Sequence, residues 1–551
     1  MEFNHMEYRY PSRREAIFAK NGMVCTSQPL AAQAGLDILK QGGNAVDAAV
    51  ATAAAMTVLE PTSNGIGGDA FALVWLERKK ELLGLNASGK TPRLINADKV
   101  RKSGCKEMPV RGWLPVMVPG APSAWAEMTE KYGCLTLEEN LEPAIRYAKE
   151  GYPVTPVIAG LWNAAFELFG KIRREEQDTD WLEPWFHHFA PEGHAPKAGE
   201  IWKSGDMEET LKKIAGTGAR DFYIGELACK IDEFSRRTGG YLRKEDLEGY
   251  WCEWVKPIHI GYRDYEVWEI PPNGDGIIAL MALNILKNFE FESDGRESAE
   301  TCHRQLEAMK LAFADGTRYV ADPKSMTVTA AELLSGSYGR MRSGLIGKTA
   351  GTPNAGDPRS GGTIYLCTAD REGNMVSFIQ SNFNGFGSGV VVPGTGISLQ
   401  NRGCAFTLDG KSENCLGPEK KAFHTIIPGF LTKGGEAVGP FGVMGAFMQP
   451  QGHVQVLMNM IDFKLNPQEA LDAPRWQWIK DKKVQVEPLF PKELAKQLSA
   501  RGHEVEAVES AVSFGRGEMI LKDKNGVTAV RLSRGQAAMW RLGKSETYAM
   551  I

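Results

Sequence analysis

The sequence predicts an α+β protein built as a four-layer αββα sandwich with an additional helical region. Strand-like runs precede and follow a long, mostly helical middle. Because strands and helices are grouped rather than alternating, two packed sheets covered by helices fit the pattern better than one parallel α/β sheet. At 551 residues the chain is also long enough to bury a deep core.

The first elements are two helices followed by two strands. Apolar residues at helical spacing predict a helix from Leu30 to Lys40, which a glycine pair ends. Asn44 is a suitable N-cap for a second, alanine-rich helix from Ala45 to Leu59. Short β-type runs then predict strands from Ala70 to Leu76 and from Leu82 to Asn86.

The middle of the chain, from Ser123 to Leu333, is predicted to be a helical layer, interrupted by one strand interval from His259 to Glu269. The predicted helices run from Leu137 to Lys149, Gly160 to Arg173, Asp206 to Ile214, Gly225 to Arg236, Ile277 to Leu286 and Ser298 to Tyr319. The stretch from Pro323 to Pro358 becomes rich in glycine, serine and proline, and we expect an accessible loop there.

Strands are predicted to dominate again after residue 363. They run from Thr363 to Thr368, Met375 to Gln380, His424 to Leu431 and Glu436 to Gly439, and a closing β-region extends from Val484 to Trp540. One helix, from Gln451 to Asp462, interrupts them.

Composition excludes several classes of protein. A net charge of −4 offers no basic surface for nucleic acid. The most apolar segment, from Ala45 to Leu59, is too short to cross a bilayer, so no membrane partner is expected. The nine cysteines form no CxxC pair and the first residues lack an export signal, which together predict a cytoplasmic protein with reduced thiols.

No cofactor or metal is expected either. The glycine-rich segment at residues 65–68 precedes a strand, whereas a nucleotide loop follows a strand and opens a helix. His187 and His188 lack the spacing of a zinc site and are interpreted as packing residues.

The residues with the clearest chemical potential are Gly361, Gly362 and Thr363. Two residues without a Cβ place an unhindered peptide carbonyl beside the Thr363 hydroxyl. Attack of that hydroxyl on the Gly362 carbonyl would cut the chain and leave Thr363 with a free amine of pKa about 8, able to accept the hydroxyl proton. A glycine turn before a strand is the alternative interpretation of the same three residues.

Several separate segments, in order along nearly the whole chain, together resemble one family. They are QGGNAVDAA (41–49), GIGGD (65–69), VPG (118–120), DGTRY (315–319) with DP (322–323), LDAPR (471–475) and, around Thr363, the pairs GN (373–374) and FG (386–387). These segments are similar to those of the γ-glutamyltransferases and their acylase relatives, which are N-terminal-nucleophile hydrolases.

The resemblance implies a self-cleaving precursor and an acyl-enzyme mechanism. Cleavage would give a large chain, residues 1–362, and a small chain, residues 363–551, that begins with the nucleophile Thr363. Ser381 matches the family's hydroxyl that hydrogen-bonds the nucleophile. The oxyanion donors would be Gly445 and Ala446; the family has Gly-Gly there, and alanine would be strained if the position needs a positive φ.

The expected substrate pocket departs from the family pattern. Ser88 stands where the family has the arginine that binds the substrate's α-carboxylate, and Ala405 where it has the aspartate that binds the α-amine. The remaining pocket positions also change, to Phe383, Arg402, His424 and Thr425. Arg402 or Lys90 could still bind a carboxylate, whereas no obvious residue replaces the aspartate, so the pattern favours an acyl group with an anionic end and no α-amine.

Three functions stay open on the sequence. The family's default is γ-glutamyl transfer or glutathione hydrolysis; the first alternative is an acylase or amidase for glutaryl amides, cephalosporin side chains or oxamate. The second alternative is a non-catalytic binding protein that never matures. The expected partners are a small-molecule amide substrate, the two chains of one precursor and, as an open question, further copies in a homo-oligomer.

Overall fold

The structure is a computed structural model that describes residues 9–10, 15–291, 295–352, 363–523, 526–532 and 548–550. In these ranges no helix combines the length and apolarity needed to span a lipid bilayer.

Two seven-stranded sheets form the centre of the molecule. The strands are β1 (Ile17–Ala19), β2 (Gly22–Thr26), β3 (Asp69–Leu76), β4 (Glu81–Ala87), β5 (Tyr152–Pro153), β6 (Ile201–Trp202), β7 (Glu253–Val255), β8 (Ile258–Tyr262), β9 (Tyr265–Glu269), β10 (Ile364–Asp370), β11 (Met375–Ser381), β12 (Gly429–Lys433), β13 (Glu436–Met444), β14 (Trp476–Lys480), β15 (Lys483–Val486), β16 (Glu504–Ala507), β17 (Arg516–Asp523), β18 (Gly526–Leu532) and β19 (Tyr548–Met550). One sheet has the order β1-β18-β17-β13-β12-β9-β8 and the other β19-β2-β10-β11-β3-β4-β7. We call the second the nucleophile sheet, after the predicted nucleophile Thr363, which β10 follows directly.

The described residues contain eighteen α-helices, some of which cover the outer faces of the two sheets. They are α1 (Pro29–Lys40), α2 (Ala45–Leu59), α3 (Ala97–Lys102), α4 (Ala121–Tyr132), α5 (Leu137–Glu150), α6 (Pro156–Glu175), α7 (Glu183–Phe189), α8 (Gly205–Gly216), α9 (Arg220–Ile224), α10 (Glu226–Arg237), α11 (Lys244–Glu248), α12 (Gly276–Leu286), α13 (Ala299–Tyr319), α14 (Ala330–Leu333), α15 (Gly336–Ser343), α16 (Met448–Ile461), α17 (Pro467–Asp472) and α18 (Lys492–Ala500). Arg402–Ala405 forms a short 3₁₀ turn.

The layers follow from where apolar residues are buried. One core lies between the two sheets and combines Phe71 and Tyr365 of the nucleophile sheet with Phe430 and Met444 of the other. A second core joins the nucleophile sheet to α2, whose residues are all buried. A third joins the opposite sheet to α12, α13 and α16. The order helix, sheet, sheet, helix confirms the predicted four-layer sandwich.

Three predicted segments differ from the structure. The expected loop from Pro323 to Pro358 contains α14 and α15, short helices whose starts are capped by the Thr329 and Ser335 side chains; residues 353–358 lie outside the described ranges. The predicted strand from His424 to Leu431 begins only at Gly429, because Pro428 has no N–H for the ladder. The closing β-region contains helix α18.

Candidate active site

The nucleophile sheet brings three polar residues together at one end. Ile364 at the start of β10 pairs with Gln380 of β11, which places Thr363 beside Ser381. Ser381 in turn pairs with Asp69 at the start of β3. The register therefore aligns Thr363, Ser381 and Asp69 on three adjacent strands. Gly361 and Gly362, the predicted partners of Thr363 in cleavage, lie outside the described residues.

The Thr363 hydroxyl is buried and held by two side chains. Thr363 is 2 % exposed, and its Oγ1 donates to Ser381 Oγ at 3.4 Å. Gln449 Nε2 donates to Thr363 Oγ1 at 3.5 Å. The Gln449 side chain is itself fixed, since its Oε1 accepts from the Ile427 N–H at 3.1 Å. The hydroxyl is thus oriented before any substrate binds.

Ser381 also fixes the backbone that follows it. Its Oγ accepts from the Phe383 N–H at 2.7 Å. Phe383 has φ +76°, in the left-handed region that a bulky residue rarely adopts. Strained backbone of this kind clusters at functional sites, where the surrounding structure imposes it.

The predicted oxyanion residues form a turn between β13 and α16. Gly445 has φ +134° and Ala446 has φ +52°, so the condition under which alanine is strained is met. The Gly445 and Ala446 carbonyls accept from Met448 and Gln449 in the first turn of α16. Since the Gln449 side chain also contacts Thr363 Oγ1, this turn lies beside the predicted nucleophile.

Arg402 lies at the centre of the predicted pocket. Its side chain is 1 % exposed; Nη1 donates to Thr425 Oγ1 at 2.8 Å, and the guanidinium stacks 4.0 Å above the Phe383 ring. Arg402 Nε and Nη2 have no hydrogen-bond partner in the described structure. Burial lowers the pKa of Arg402 to about 10, which still leaves it charged at neutral pH. The structure thus brings Phe383, Arg402 and Thr425 together around two unused donors.

His424 binds Asp69 rather than acting as a second cation. Its Nε2 lies 3.0 Å from Asp69 Oδ2, and its ring packs 4.7 Å from that of Phe71. Burial, reinforced by the positive charges of Arg402 and Lys421, lowers the pKa of His424 well below its usual value. Burial raises the pKa of Asp69 to about 7, against the opposing effects of Arg402 and the Gly89 N–H. The contact between Asp69 and His424 is therefore a hydrogen bond in which the imidazole is neutral, not an ion pair.

The structure separates Ser88 from Lys90. Ser88 Oγ donates to Asn86 Oδ1 at 2.7 Å and accepts from Asn273 Nδ2 at 3.2 Å, which ties β4 to the turn after β9. Lys90 lines a different, small cavity, about 70 Å³, together with Asp246 and Glu419. Ser88 supports the wall of the site, whereas Lys90 lies apart from Arg402.

A larger cavity, about 720 Å³, adjoins the site. Its lining includes Phe383, whose ring stacks on Arg402, Ala405 of the same 3₁₀ turn as Arg402, and Phe447, which follows Ala446. Phe406 and Phe423 add further apolar surface. The lining also includes charged residues, among them Arg101, Lys106 and Asp409, so the cavity combines apolar and polar surface in a volume typical of a small-molecule site.

Comparison with known proteins decides the family. A family model described as Gamma-glutamyltranspeptidase matches residues 31–541. The chain belongs to the gamma-glutamyltranspeptidase family.

Membership of this family makes the chain a self-processing enzyme that acts on amide bonds, with the fold of the N-terminal-nucleophile hydrolases. It is 34 % identical over 522 residues to the glutathione hydrolase-like YwrD proenzyme of Bacillus subtilis (93 % of this chain, 96 % of the relative). It is 33 % identical over 508 residues to the acylase ACY 1 proenzyme of a Pseudomonas species (90 % and 89 %). The crystal structure of a cephalosporin acylase from Bacillus halodurans matches with TM-score 0.92 and 56 % identity, covering 98 % of this chain and 100 % of that one.

Sequence reasoning missed three residues of this family member's site. Gln449 carries no predicted role in the sequence, and Asp69 enters the sequence analysis only as the last residue of the GIGGD segment. Asp275, just before the predicted helix from Ile277 to Leu286, likewise carries no predicted role. The available signal was the same in each case: a polar residue inside a run of glycine and apolar residues, where burial without a partner is costly.

Proposed function

We propose that this family member matures by cutting itself before Thr363 and then hydrolyses amides whose acyl group ends in a carboxylate and carries no α-amine. The observation that carries the substrate assignment is Arg402, a buried guanidinium with two unsatisfied donors. The two oxygens of a carboxylate can accept from these two guanidinium nitrogens at once.

Maturation uses the residues around Thr363. Thr363 Oγ1 attacks the Gly362 carbonyl, the C–N bond breaks as the nitrogen gains a proton, and the resulting ester is hydrolysed by water. The products are the two chains 1–362 and 363–551, the second with a free amine on Thr363. Ser381, which accepts from Thr363 at 3.4 Å, holds the hydroxyl for this attack.

Turnover repeats the chemistry on a substrate. The Thr363 amine takes the hydroxyl proton while Oγ1 attacks the amide carbonyl, and the developing oxyanion is stabilised by the Gly445 and Ala446 N–H groups. The tetrahedral intermediate collapses, the leaving amine takes the proton, and the acyl group remains on Thr363 as an ester. Water then attacks the ester and releases the carboxylic acid.

The pocket around Arg402 sets the acyl group in this proposal. The distal carboxylate binds Arg402 Nε and Nη2, while Thr425 and Phe383 hold the guanidinium in place. The cavity beside Phe383 and Phe447 holds the remaining, apolar part of the amide. Nine free cysteines further support a location in a reducing compartment, the cytoplasm.

Two variants of Thr363 test maturation. Thr363→Ala is expected to give one full-length band on a denaturing gel and no turnover, because the nucleophile is gone. Thr363→Ser is expected to retain slower cleavage and turnover, since it keeps a hydroxyl. Two chains in Thr363→Ala, or an active wild-type preparation that is wholly uncut, would contradict the proposal.

Arg402→Gln tests the acyl group, with Lys90→Gln as the matched control. We expect glutaryl anilide to turn over faster than γ-glutamyl anilide and butyryl anilide in the wild type. Arg402→Gln should raise the KM for glutaryl anilide at least about tenfold, because a charged hydrogen bond is worth about 1.5–3 kcal/mol. Lys90→Gln should leave that KM within about twofold. If the wild type turns over butyryl anilide as fast as glutaryl anilide, the assignment of a carboxylate-ended acyl group is wrong.

A further inference from the structure

Gln449, at the start of helix α16, contacts the Thr363 hydroxyl, yet the reaction above does not use it. The residue is fully buried. Its backbone N–H donates to the Ala446 carbonyl at 2.9 Å, so its main chain closes the turn that carries the proposed oxyanion donors. Its side chain extends from that turn to Thr363 Oγ1. Gln449 therefore joins the oxyanion turn to the atom that would form the acyl ester.

The orientation of the Gln449 amide follows from its second contact. The Ile427 N–H can only donate, so the atom that faces it at 3.1 Å must be the amide oxygen Oε1. The amide nitrogen Nε2 then faces Thr363 Oγ1, and this nitrogen can only donate. A flipped amide would place two donors against each other at Ile427. Gln449 is thus fixed as a donor to Oγ1.

The donor from Gln449 also decides where the Thr363 proton points. A hydroxyl has one hydrogen to donate and lone pairs that accept. Because Oγ1 accepts from Gln449 Nε2 at 3.5 Å, its own hydrogen is directed to Ser381 Oγ at 3.4 Å. Both distances are long, as is common for catalytic hydrogen bonds before a substrate binds. Gln449 and Ser381 therefore contact Oγ1 in opposite roles, the first as donor and the second as acceptor.

The two halves of the proposed catalytic cycle place charge on different atoms. When the amide is cleaved, the bond that breaks joins the acyl carbon to the substrate nitrogen, and Thr363 Oγ1 stays behind as the ester oxygen. When the ester is hydrolysed, water adds to the carbonyl and gives a proton to the Thr363 amine. The C–Oγ1 bond then breaks, Oγ1 leaves with the electron pair, and it takes that proton from the ammonium. Negative charge thus develops on Oγ1 in the second half, where a fixed N–H donor stabilises it.

We propose that Gln449 is a catalytic residue for hydrolysis of the acyl ester: its Nε2–H donates to Thr363 Oγ1 as that oxygen leaves. The inference rests on the proposed nucleophile Thr363. Every glutaryl amide gives the same ester, so Gln449 acts after the substrate's amine has gone. Loss of the donor should therefore slow the second half of the cycle and let the ester accumulate.

Gln449→Met is the main test, because methionine has a similar length and no N–H to donate. With glutaryl anilide we expect kcat to fall about tenfold to a hundredfold, the range for one hydrogen bond to a charged group. KM should fall with kcat, since a slow second half holds the enzyme as the ester. The ratio kcat/KM reports only the steps up to the ester and should change less than about threefold.

Gln449→Glu reverses the polarity at Oγ1 with almost no change in shape. One carboxylate oxygen still accepts from the Ile427 N–H, while the other presents an acceptor to Thr363 Oγ1 in place of a donor. We expect kcat to fall at least as far as in Gln449→Met, because an anion repels the charge that develops on Oγ1.

Two further readouts distinguish a slow second half from a general loss of activity. Gln449→Met quenched in acid during turnover should carry the glutaryl ester on the small chain, which mass spectrometry detects. Its kcat should be the same for glutaryl anilide and glutaryl para-nitroanilide, since both give the same ester. A purely structural defect would slow both halves and give neither result.

Gln455→Met is the matched control. Gln455 lies on the same helix and is also buried, but its amide binds the Trp476 backbone: Oε1 accepts from the N–H at 3.1 Å and Nε2 donates to the carbonyl at 3.0 Å. This variant should lower the thermal unfolding midpoint and keep kcat within about twofold, without accumulating ester. A denaturing gel gives the fraction of cut chain, to which every rate is referred.

The outcomes separate this inference from the proposed function. If Gln449→Met accumulates no ester, or loses no more kcat than Gln455→Met, the role of Gln449 is wrong and Thr363 stands as the proposed nucleophile. If Gln449→Glu keeps the wild-type kcat, Oγ1 needs no donor and the inference is likewise overturned. If Thr363→Ala is still cut and active, the proposed function itself fails, whatever the Gln449 variants do.

Discussion

Ala446 holds the left-handed conformation, φ +52°, that alanine disfavours. Replacing it with glycine removes a steric cost of roughly 1–2 kcal/mol, partly offset by the greater freedom of glycine in the unfolded chain. Ala446→Gly is therefore expected to raise the free energy of unfolding by up to about 1 kcal/mol in urea titrations and to retain turnover. Gly445→Ala is the opposite change, because a Cβ at φ +134° would lie 3.1 Å from Gly515 Cα. A stabilised Gly445→Ala would contradict this account.

Asp69 is expected to make stability depend on pH. Folding raises its pKa from 3.8 to about 7. The contribution of Asp69 to the free energy of unfolding is therefore greatest below pH 3.8 and is lost as pH rises through about 7. Asp69→Asn cannot ionise. The difference in unfolding free energy between Asp69→Asn and the wild type should therefore grow in favour of the variant from about pH 4 to about pH 7; a difference that is constant with pH would disprove the shift.

At the scale of elements, helix α2 packs on the outer face of the nucleophile sheet. Asn44 caps it: its side chain accepts from Val46 and Asp47 and donates to the Tyr132 carbonyl at 2.7 Å. Asn44→Ala is expected to lower the free energy of unfolding by about 1–2 kcal/mol, because it removes the cap of a fully buried helix. Asn96→Ala is the control, since Asn96 caps the short helix α3 through one bond to the Lys99 N–H. An equal or larger loss in Asn96→Ala would argue against the role of α2.

The elements also show which features local sequence encodes. The helix from Ala45 to Leu59 was predicted with its cap, because the asparagine and the alanine-rich run are adjacent. The segment from His424 to Leu431 was wrongly assigned to a strand, since its apolar character comes from packing at the site and Pro428 delays the ladder to Gly429. Apolar runs of this length have the same pattern whether or not they pair.

At the scale of the whole molecule, a buried hydrogen-bond network joins the two halves of the chain. His303 on α13 holds the Gly347 carbonyl at 2.9 Å through Nε2, so its Nδ1 accepts from His503 Nε2, also at 2.9 Å. Lys310 donates to Glu307 at 2.7 Å and lies 3.4 Å from His503 Nδ1. His303, Glu307 and His503 are residue types that bind metal ions, but here His303 bonds to His503, and Glu307 accepts from Lys310 and from the Gly351 N–H. The network links residues on both sides of the proposed cut.

Lys310→Ala tests how much this network stabilises the molecule. Removing one partner of a buried ion pair costs about 3–5 kcal/mol, because the other charge stays buried without compensation. Lys496→Ala is the matched control: it breaks an exposed pair with Glu493 and should cost less than about 1 kcal/mol. Denaturant titration of the full chain measures both. Similar losses in the two variants would show that the network contributes little.

The sequence by itself determined the fold class and the family, because these depend on residues that are neighbours in the chain: a capped apolar helix, strands grouped apart from helices, and motifs in fixed order. Its assignment of Thr363 as the nucleophile stays a prediction. It also predicted Arg402, Thr425 and Phe383 as pocket residues, and the structure brings them together. Their exact roles stay predictions that the variants above test.

Only the tertiary structure decided which charges share the pocket. Lys90 and Arg402 were equal candidates in sequence, and folding placed Lys90 in a separate cavity. Asp69 had no assigned role until β3 brought its carboxyl within 3.0 Å of His424 Nε2. Contacts between residues hundreds of positions apart, and the loss of water that sets the pKa of each buried group, arise only when the layers pack.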